Sequence, residues 1–150
     1  MELQPIAFVH SPIREIKEDH WGDVKSIIEL VPEIKEEAFD GIDLFSHLEI
    51  IYFFHLVKTE KIVTDSRHPR NNKDWPKCGI FAQRGKNRPN CIGLTIVKLI
   101  KRMGKSITVL GLDAIDGSPV LDIKPVMKEF LPREDIIQPS WSSELMKNYW

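Results

Sequence analysis

The chain has 150 residues, of which 42% are hydrophobic and 29% charged, with Lys+Arg 21 against Asp+Glu 22. That size and balance suit one globular domain and argue against wholesale disorder and against binding nucleic acid through bulk charge. No apolar run approaches the ~18 residues of a membrane span, the first twenty residues lack a signal-peptide pattern, and two cysteines are too few for a disulfide framework, so a reducing cytoplasm is expected. In chain order, Pro5 to His10 reads as a short strand stopped by Ser11-Pro12. Val24 to Val31, β-branched and apolar, reads as a second. PEIKEEAFDG from Pro32 reads as a short helix stopped at Gly41. Leu44 to Val57, rich in Ile and Phe, predicts a long strand, with Thr59 to Thr64 as its returning partner. Residues 66–78 read as a loop, Gly79 to Arg84 as a short strand, and Ile92 to Ile100 as a long one. A turn around Gly104 follows, and then Ile107 to Leu112 and Pro119 to Ile123, read as a hairpin across DAIDGS. The last stretch is polar and broken by prolines, with Ser142 or Ser143 placed to cap a final short helix that ends in Tyr149-Trp150. The pattern predicts a mainly β fold: a small antiparallel β-barrel-like domain with one or two short helices. It spans 1–150, with a core of about 6–125 and an extension over 126–150.

The small net charge hides an asymmetry. Residues 15–49 carry eleven acidic and three basic side chains, whereas residues 67–105 carry eleven basic ones and Asp74 alone as an acid. The second segment suits an anionic partner such as a phosphate or RNA. The competing reading is that the two segments are solvated faces that neutralise one another.

Several motifs fail on spacing. Gly104-Lys105-Ser106 matches the last residues of a P-loop, but Leu99 stands where that loop needs glycine. No GxGxxG occurs, so a Rossmann nucleotide site has no support. His47-Leu48-Glu49 has the H-x-E spacing of zinc deaminases without the CxxC. His47, His55, His68 and Cys78 therefore read as core or surface groups, and no metal site is expected. Neither Cys78 nor Cys91 has a cue for an activating base. Two loops remain. GIFAQRGKNRPNCIGL places Arg84 at a strand end and Arg88-Pro89-Asn90 in a rigid turn. DAIDGSPVLDIKP offers a carboxylate, a permissive backbone and a hydroxyl at Asp116-Gly117-Ser118. Each is ordinary turn chemistry or a small-ligand site.

Together these residues resemble the TsaA-like (TrmO) family of S-adenosylmethionine-dependent tRNA methyltransferases. Five stretches carry the resemblance in family order: IAFVHSP, LFSHLEIIYFFH, HPR, GIFAQRGKNRPNCIGL and LDAIDGSPVLDIKP, from Ile6 to Pro125. It implies a small β-barrel, a homodimer with cofactor sites near the subunit interface, and methylation of N6 of threonylcarbamoyladenosine beside the anticodon. It also implies cofactor contacts from His55, Leu56, Arg84, Leu94, Asp116, Gly117, Ser118 and Pro119. Arg70, Arg88 and Asn90 share those motifs, and with Lys86 and Lys101 they are the candidates to meet RNA. Asp116 is the candidate acid–base group for the acceptor amine. The sequence departs from the family pattern at EDHWGD after the SP turn, at Cys91 in place of proline and at Val126 in place of an aromatic. Two other readings stand beside this one: a non-catalytic S-adenosylmethionine-binding module, and a methyltransferase for a small molecule.

Overall fold

The computed structural model describes residues 2–150. Six strands close into an antiparallel barrel: β1 (Ala7–His10), β2 (Lys25–Leu30), β3 (His47–Phe53), β6 (Ile92–Met103), β7 (Ser106–Leu110) and β8 (Pro119–Pro125). Their order around the barrel is β1-β2-β7-β6-β3-β8, with β8 paired back to β1. Two-residue strands β4 (Ser66–Arg67) and β5 (Cys78–Gly79) pair outside it.

Alternation sets which face is inside. Ser26, Ile28 and Leu30 of β2, Leu48, Ile50 and Tyr52 of β3, and Ile107 and Val109 of β7 are buried while their neighbours face outward. A period of two sends alternate side chains to opposite faces, so each strand gives one set to the core. Tyr52 is the largest side chain inside. Its ring fits because its cross-strand neighbour is Gly93, where a Cβ would lie 2.7 Å from Tyr52 Cε2. Irregular pairing at Ile51/Tyr52 and Leu99/Lys101 supplies the bends that closure needs.

Antiparallel order sorts the connections by end. One rim carries 11–24, 54–91 and 111–118, and the other carries 31–46 and the β6–β7 turn. The second rim is sealed by the buried Phe39, with Ile34 and Ile42 against it. The expected helix there is two 3-10 turns, Glu36–Phe39 and Ile42–Leu44.

Four other expectations change. Thr59–Lys61 is a 3-10 turn, because β3 already pairs with β6 and β8 and has no free edge. The strand expected over 79–84 is only Cys78–Gly79, followed by a 3-10 turn at Ile80–Ala82. β7 and β8 do not form a hairpin: they lie on opposite sides of the six-membered ring. Residues 111–118 therefore cross the barrel mouth, burying Leu112, Ala114 and Ser118 as they go. Finally, α1 (Ser140–Leu145) starts directly after Pro139 and stops before Tyr149, and Ser142 Oγ donates to the Pro139 carbonyl instead of capping.

Candidate functional site

The crossing loop is the centre of the site rim. Gly117 N donates to Val9 O (2.8 Å) and Asp116 N to Ile13 O (2.7 Å), which ties the loop to the end of β1 and the turn after it. Asp116 Oδ1 accepts from Ser11 N at 3.0 Å, and Oδ2 lies 4.0 Å from Arg14 Nε. One carboxylate oxygen thus fixes the Ser-Pro turn while the other faces the exposed Arg14 guanidinium. Gly117 has φ of +77°, a left-handed conformation that favours glycine, and a Cβ there would lie 3.8 Å from His55 Nε2.

His55 leaves β3 with its amide bonded to Phe53 O (2.9 Å), and its Nδ1 is buried with no hydrogen-bond partner. Arg84 donates from Nη2 to the Leu94 carbonyl at 2.6 Å, bringing those two residues together across the RPN turn. That turn is left-handed at Asn90 and Cys91 and is braced by Arg88 Nη1 on Gln83 O at 2.8 Å. Burial pushes the Cys91 thiol up, which leaves it unreactive. Under the same loop lies Arg67, whose Nε is also buried without a partner and whose Nη2 is 3.6 Å from a Cβ built on Gly85. Buried polar groups are nearly always paired; among the described residues Ser26 Oγ on β2 is the third buried side-chain atom without a partner.

Beneath the loop is a network that the sequence did not announce. Asp113 Oδ1 accepts from Tyr52 OH (2.9 Å) and from the Thr95 hydroxyl, and Oδ2 accepts from Tyr149 OH. Burial first, and then the Asp113 charge, push both tyrosine hydroxyls above their ordinary range, so both remain donors. Asp113 and Tyr52 lie in motifs the sequence singled out, but their pairing left no local signal, since the partners of Asp113 come from 18 to 61 residues away.

To the side, an open groove of about 760 Å³ runs between β1, β2, β6 and β7. It is lined by His10, Ser11, Arg14, Lys25, Lys101 and Asp116. Asp116 therefore faces a groove that also holds the cations Arg14, Lys25 and Lys101 beside apolar Pro12, Ile27 and Ile100, while Gly117, next to it, faces His55.

The family described as the tRNA-methyltransferase O N-terminal domain matches residues 12–130. The chain belongs to the TrmO family. A crystal structure of TrmO from Pseudomonas aeruginosa is similar with a TM-score of 0.75 and 26% identity, over 94% of this chain and 61% of that one. A probable S-adenosyl-L-methionine-binding protein of Pyrococcus abyssi is 36% identical over 138 residues, 89% of this chain and 72% of that protein. The human tRNA (adenine(37)-N6)-methyltransferase is 37% identical over 113 residues, 75% of this chain and 25% of that enzyme. The chain thus spans about a quarter of the human protein.

Within this TrmO-family chain, the residues singled out in the sequence fall into three groups. His55, Gly117 and Ser118 meet at the mouth, with Ser118 buried and Leu56 half-exposed. Arg84 and Leu94 meet beside it. Asp116 and Lys101 share the groove. Arg70 is already engaged: it makes a two-pronged bond to Asp19 (2.8 and 3.1 Å) and another to Glu18 O (3.2 Å). It clamps the 11–24 loop and presents no free charge. The EDHWGD stretch, which departs from the family pattern, is therefore integrated into the rim: Asp19 holds Arg70, and Trp21 is buried. Among the described residues, no group of three or more His, Cys, Asp or Glu is arranged to hold a metal, and no helix is long and apolar enough to cross a membrane. His47 pairs with Ser46 Oγ and His68 with the Trp75 carbonyl.

Proposed function

We propose that this chain binds S-adenosyl-L-methionine at the barrel mouth and methylates N6 of an adenine in tRNA, with threonylcarbamoyladenosine beside the anticodon as acceptor. The observation that carries this reading is the convergence of His55, Gly117, Arg84 and Leu94 on one rim, with His55 Nδ1 buried and unpartnered. These residues fit the cofactor. His55 supplies a buried polar atom, Gly117 allows close backbone approach, and Arg84 supplies a cation for a carboxylate. When bound, the cofactor supplies an electrophilic methyl group. The protein's part is to hold the acceptor amine in line and exclude water. An adenine N6 is a weak nucleophile because its lone pair is delocalised, and a neighbouring acceptor oxygen helps it shed its proton. Asp116 Oδ2, which has no hydrogen bond among the described residues and lies 4.0 Å from Arg14 Nε, is assigned that role.

Lys86, Arg88, Asn90 and Lys101, with Arg14 and Lys25 along the groove, are the assigned contacts for tRNA phosphates. The outer face of β6 exposes Ile92, Leu94, Ile96 and Ile100, interrupted by Lys98, with Phe53 beside it. It is assigned to a homodimer, since a stable interface buries on the order of 1,600 Å² in total. Tyr149 contributes nothing to that surface because it packs inside its own chain. Light scattering at micromolar concentration should give twice the chain mass, and a monomer mass would remove the dimer. Both cysteines are free thiols, in keeping with a reducing cytoplasm.

A second reading, a binding module without catalysis, is favoured by the Pyrococcus abyssi relative, which is named as a probable S-adenosyl-L-methionine-binding protein. A radiolabelled methyl donor with total tRNA separates the two. Label in RNA supports the enzyme, and tight cofactor binding with no label in RNA supports the module.

A further inference from the structure

β8 leaves the barrel at the rim opposite the site, where Val126 N bonds to His47 O at the start of β3. The residues that follow nevertheless return to the site rim. There, segment 139–150 is tied to each of the three rim loops. His20 N and Trp21 N of the 11–24 loop donate to Asn148 O (2.9 Å) and Tyr149 O (2.8 Å). Gly22 presses so close that a Cβ would stand 2.7 Å from the Trp150 carbonyl carbon. Trp75 Nε1 of the 54–91 loop donates to Glu144 Oε2 at 2.8 Å. Tyr149 OH donates to Asp113 of the crossing loop.

We propose that segment 139–150 is part of the ligand site and that Tyr149 is its positioning residue, holding the crossing loop through Asp113 in the arrangement that receives the cofactor. This rests on the cofactor reading given above. Asp113 begins the stretch that delivers Asp116, Gly117 and Ser118, and all three of its hydroxyl donors come from other elements: Tyr52 from β3, Thr95 from β6 and Tyr149 from the returning segment. The first two belong to the rigid barrel wall. Tyr149 alone comes from outside the barrel. The segment therefore joins the 11–24 loop and Trp75 to the DGSP side through Asp113. A loop freed from one anchor spends part of its time in arrangements that do not bind, and apparent affinity falls by that fraction.

Two variants loosen the segment from different sides. Tyr149→Phe deletes the hydroxyl and keeps the ring. Gly22→Ala pushes on Trp150 without touching Asp113. Cofactor affinity by calorimetry should fall about tenfold in Tyr149→Phe and by a similar factor in Gly22→Ala. Hydrogen exchange should quicken at 113–118 while the β3–β6 amides keep their protection, and tRNA affinity should hold. In an Asp113→Asn background, adding Tyr149→Phe should cost less than about twofold further, because the two act through one bond. Full cofactor affinity in both single variants would overturn the proposal. So would a loss of affinity with uniformly faster exchange across the barrel, which marks general destabilisation. A wild-type chain that binds no cofactor would remove the functional reading instead, and exchange at 113–118 in Tyr149→Phe would still decide whether Tyr149 holds the loop.

Discussion

Arg84 and Arg70 lie in neighbouring motifs of one basic segment, and the structure engages them differently. Arg84 is exposed with one bond to a carbonyl, and the proposed function gives its remaining donors to the cofactor carboxylate. Arg84→Ala should therefore weaken cofactor binding by about tenfold to a hundredfold in calorimetry, the range for a charged hydrogen bond. Arg70 is locked to Asp19, and that hydrogen bond holds the Asp19 carboxyl below the usual carboxylate range. The sign follows directly. A carboxyl with a depressed folded-state pKa stabilises the fold above its unfolded pKa, and that contribution is lost as pH falls through the folded value. Melting temperature should thus drop on acidification below about pH 4, and less steeply in Asp19→Asn; parallel acid profiles for the two proteins would show that the clamp contributes nothing. The family resemblance implied a cofactor contact for Arg84, whereas the Arg70 clamp could not be read from the sequence. Asp19 and Arg70 are 51 residues apart, and pairing at that separation leaves no local pattern.

The strands themselves were legible, because a period of two and β-branched runs are local signals. Burial alternates along both KSIIEL and HLEIIYF, but Ser26 is inside and Ile27 outside, so the strands were legible while the inward face of β2 was not. Partner choice was less legible. Proximity along the chain suggested that β7 and β8 pair, whereas the barrel places them opposite one another and sends 111–118 across the mouth. The loop that was singled out for its turn chemistry is in fact the cap of the barrel. Gly93 shows the same limit, since only the β3–β6 register reveals that it makes room for Tyr52. Gly93→Ala should destabilise the barrel by about 1–3 kcal/mol through overpacking. Urea unfolding would measure this, and replacing Tyr52 with a smaller apolar residue in the same chain should recover part of the loss of room. An unchanged midpoint in Gly93→Ala would mean that the ring moves aside freely.

Across the whole molecule, the charge asymmetry resolves into both of its readings. Part of the basic segment is matched by the acidic one: Arg70 with Asp19, Arg102 with Asp40 at 2.9 Å, and Lys105 with the Pro32 carbonyl at 2.8 Å. Lys86 and Lys101 have no such partner among the described residues, which fits the phosphate contacts proposed for them. If they meet phosphates, tRNA affinity should fall with salt by roughly 0.7–0.9 log units per contact for each tenfold rise. Lys86→Glu with Lys101→Glu should flatten that slope while leaving cofactor affinity nearly unchanged, and an unaltered slope would move the docking surface elsewhere. The central claim is methyl transfer to a tRNA adenine at this barrel mouth. Its most direct test gives purified protein the cofactor with tRNA that carries, or lacks, the threonylcarbamoyl group, and reads the nucleosides by mass spectrometry. One added methyl on threonylcarbamoyladenosine, absent from the unmodified tRNA and abolished in Asp116→Asn, is the predicted result. No added methyl on either tRNA, with cofactor binding confirmed in the same preparation, would contradict it.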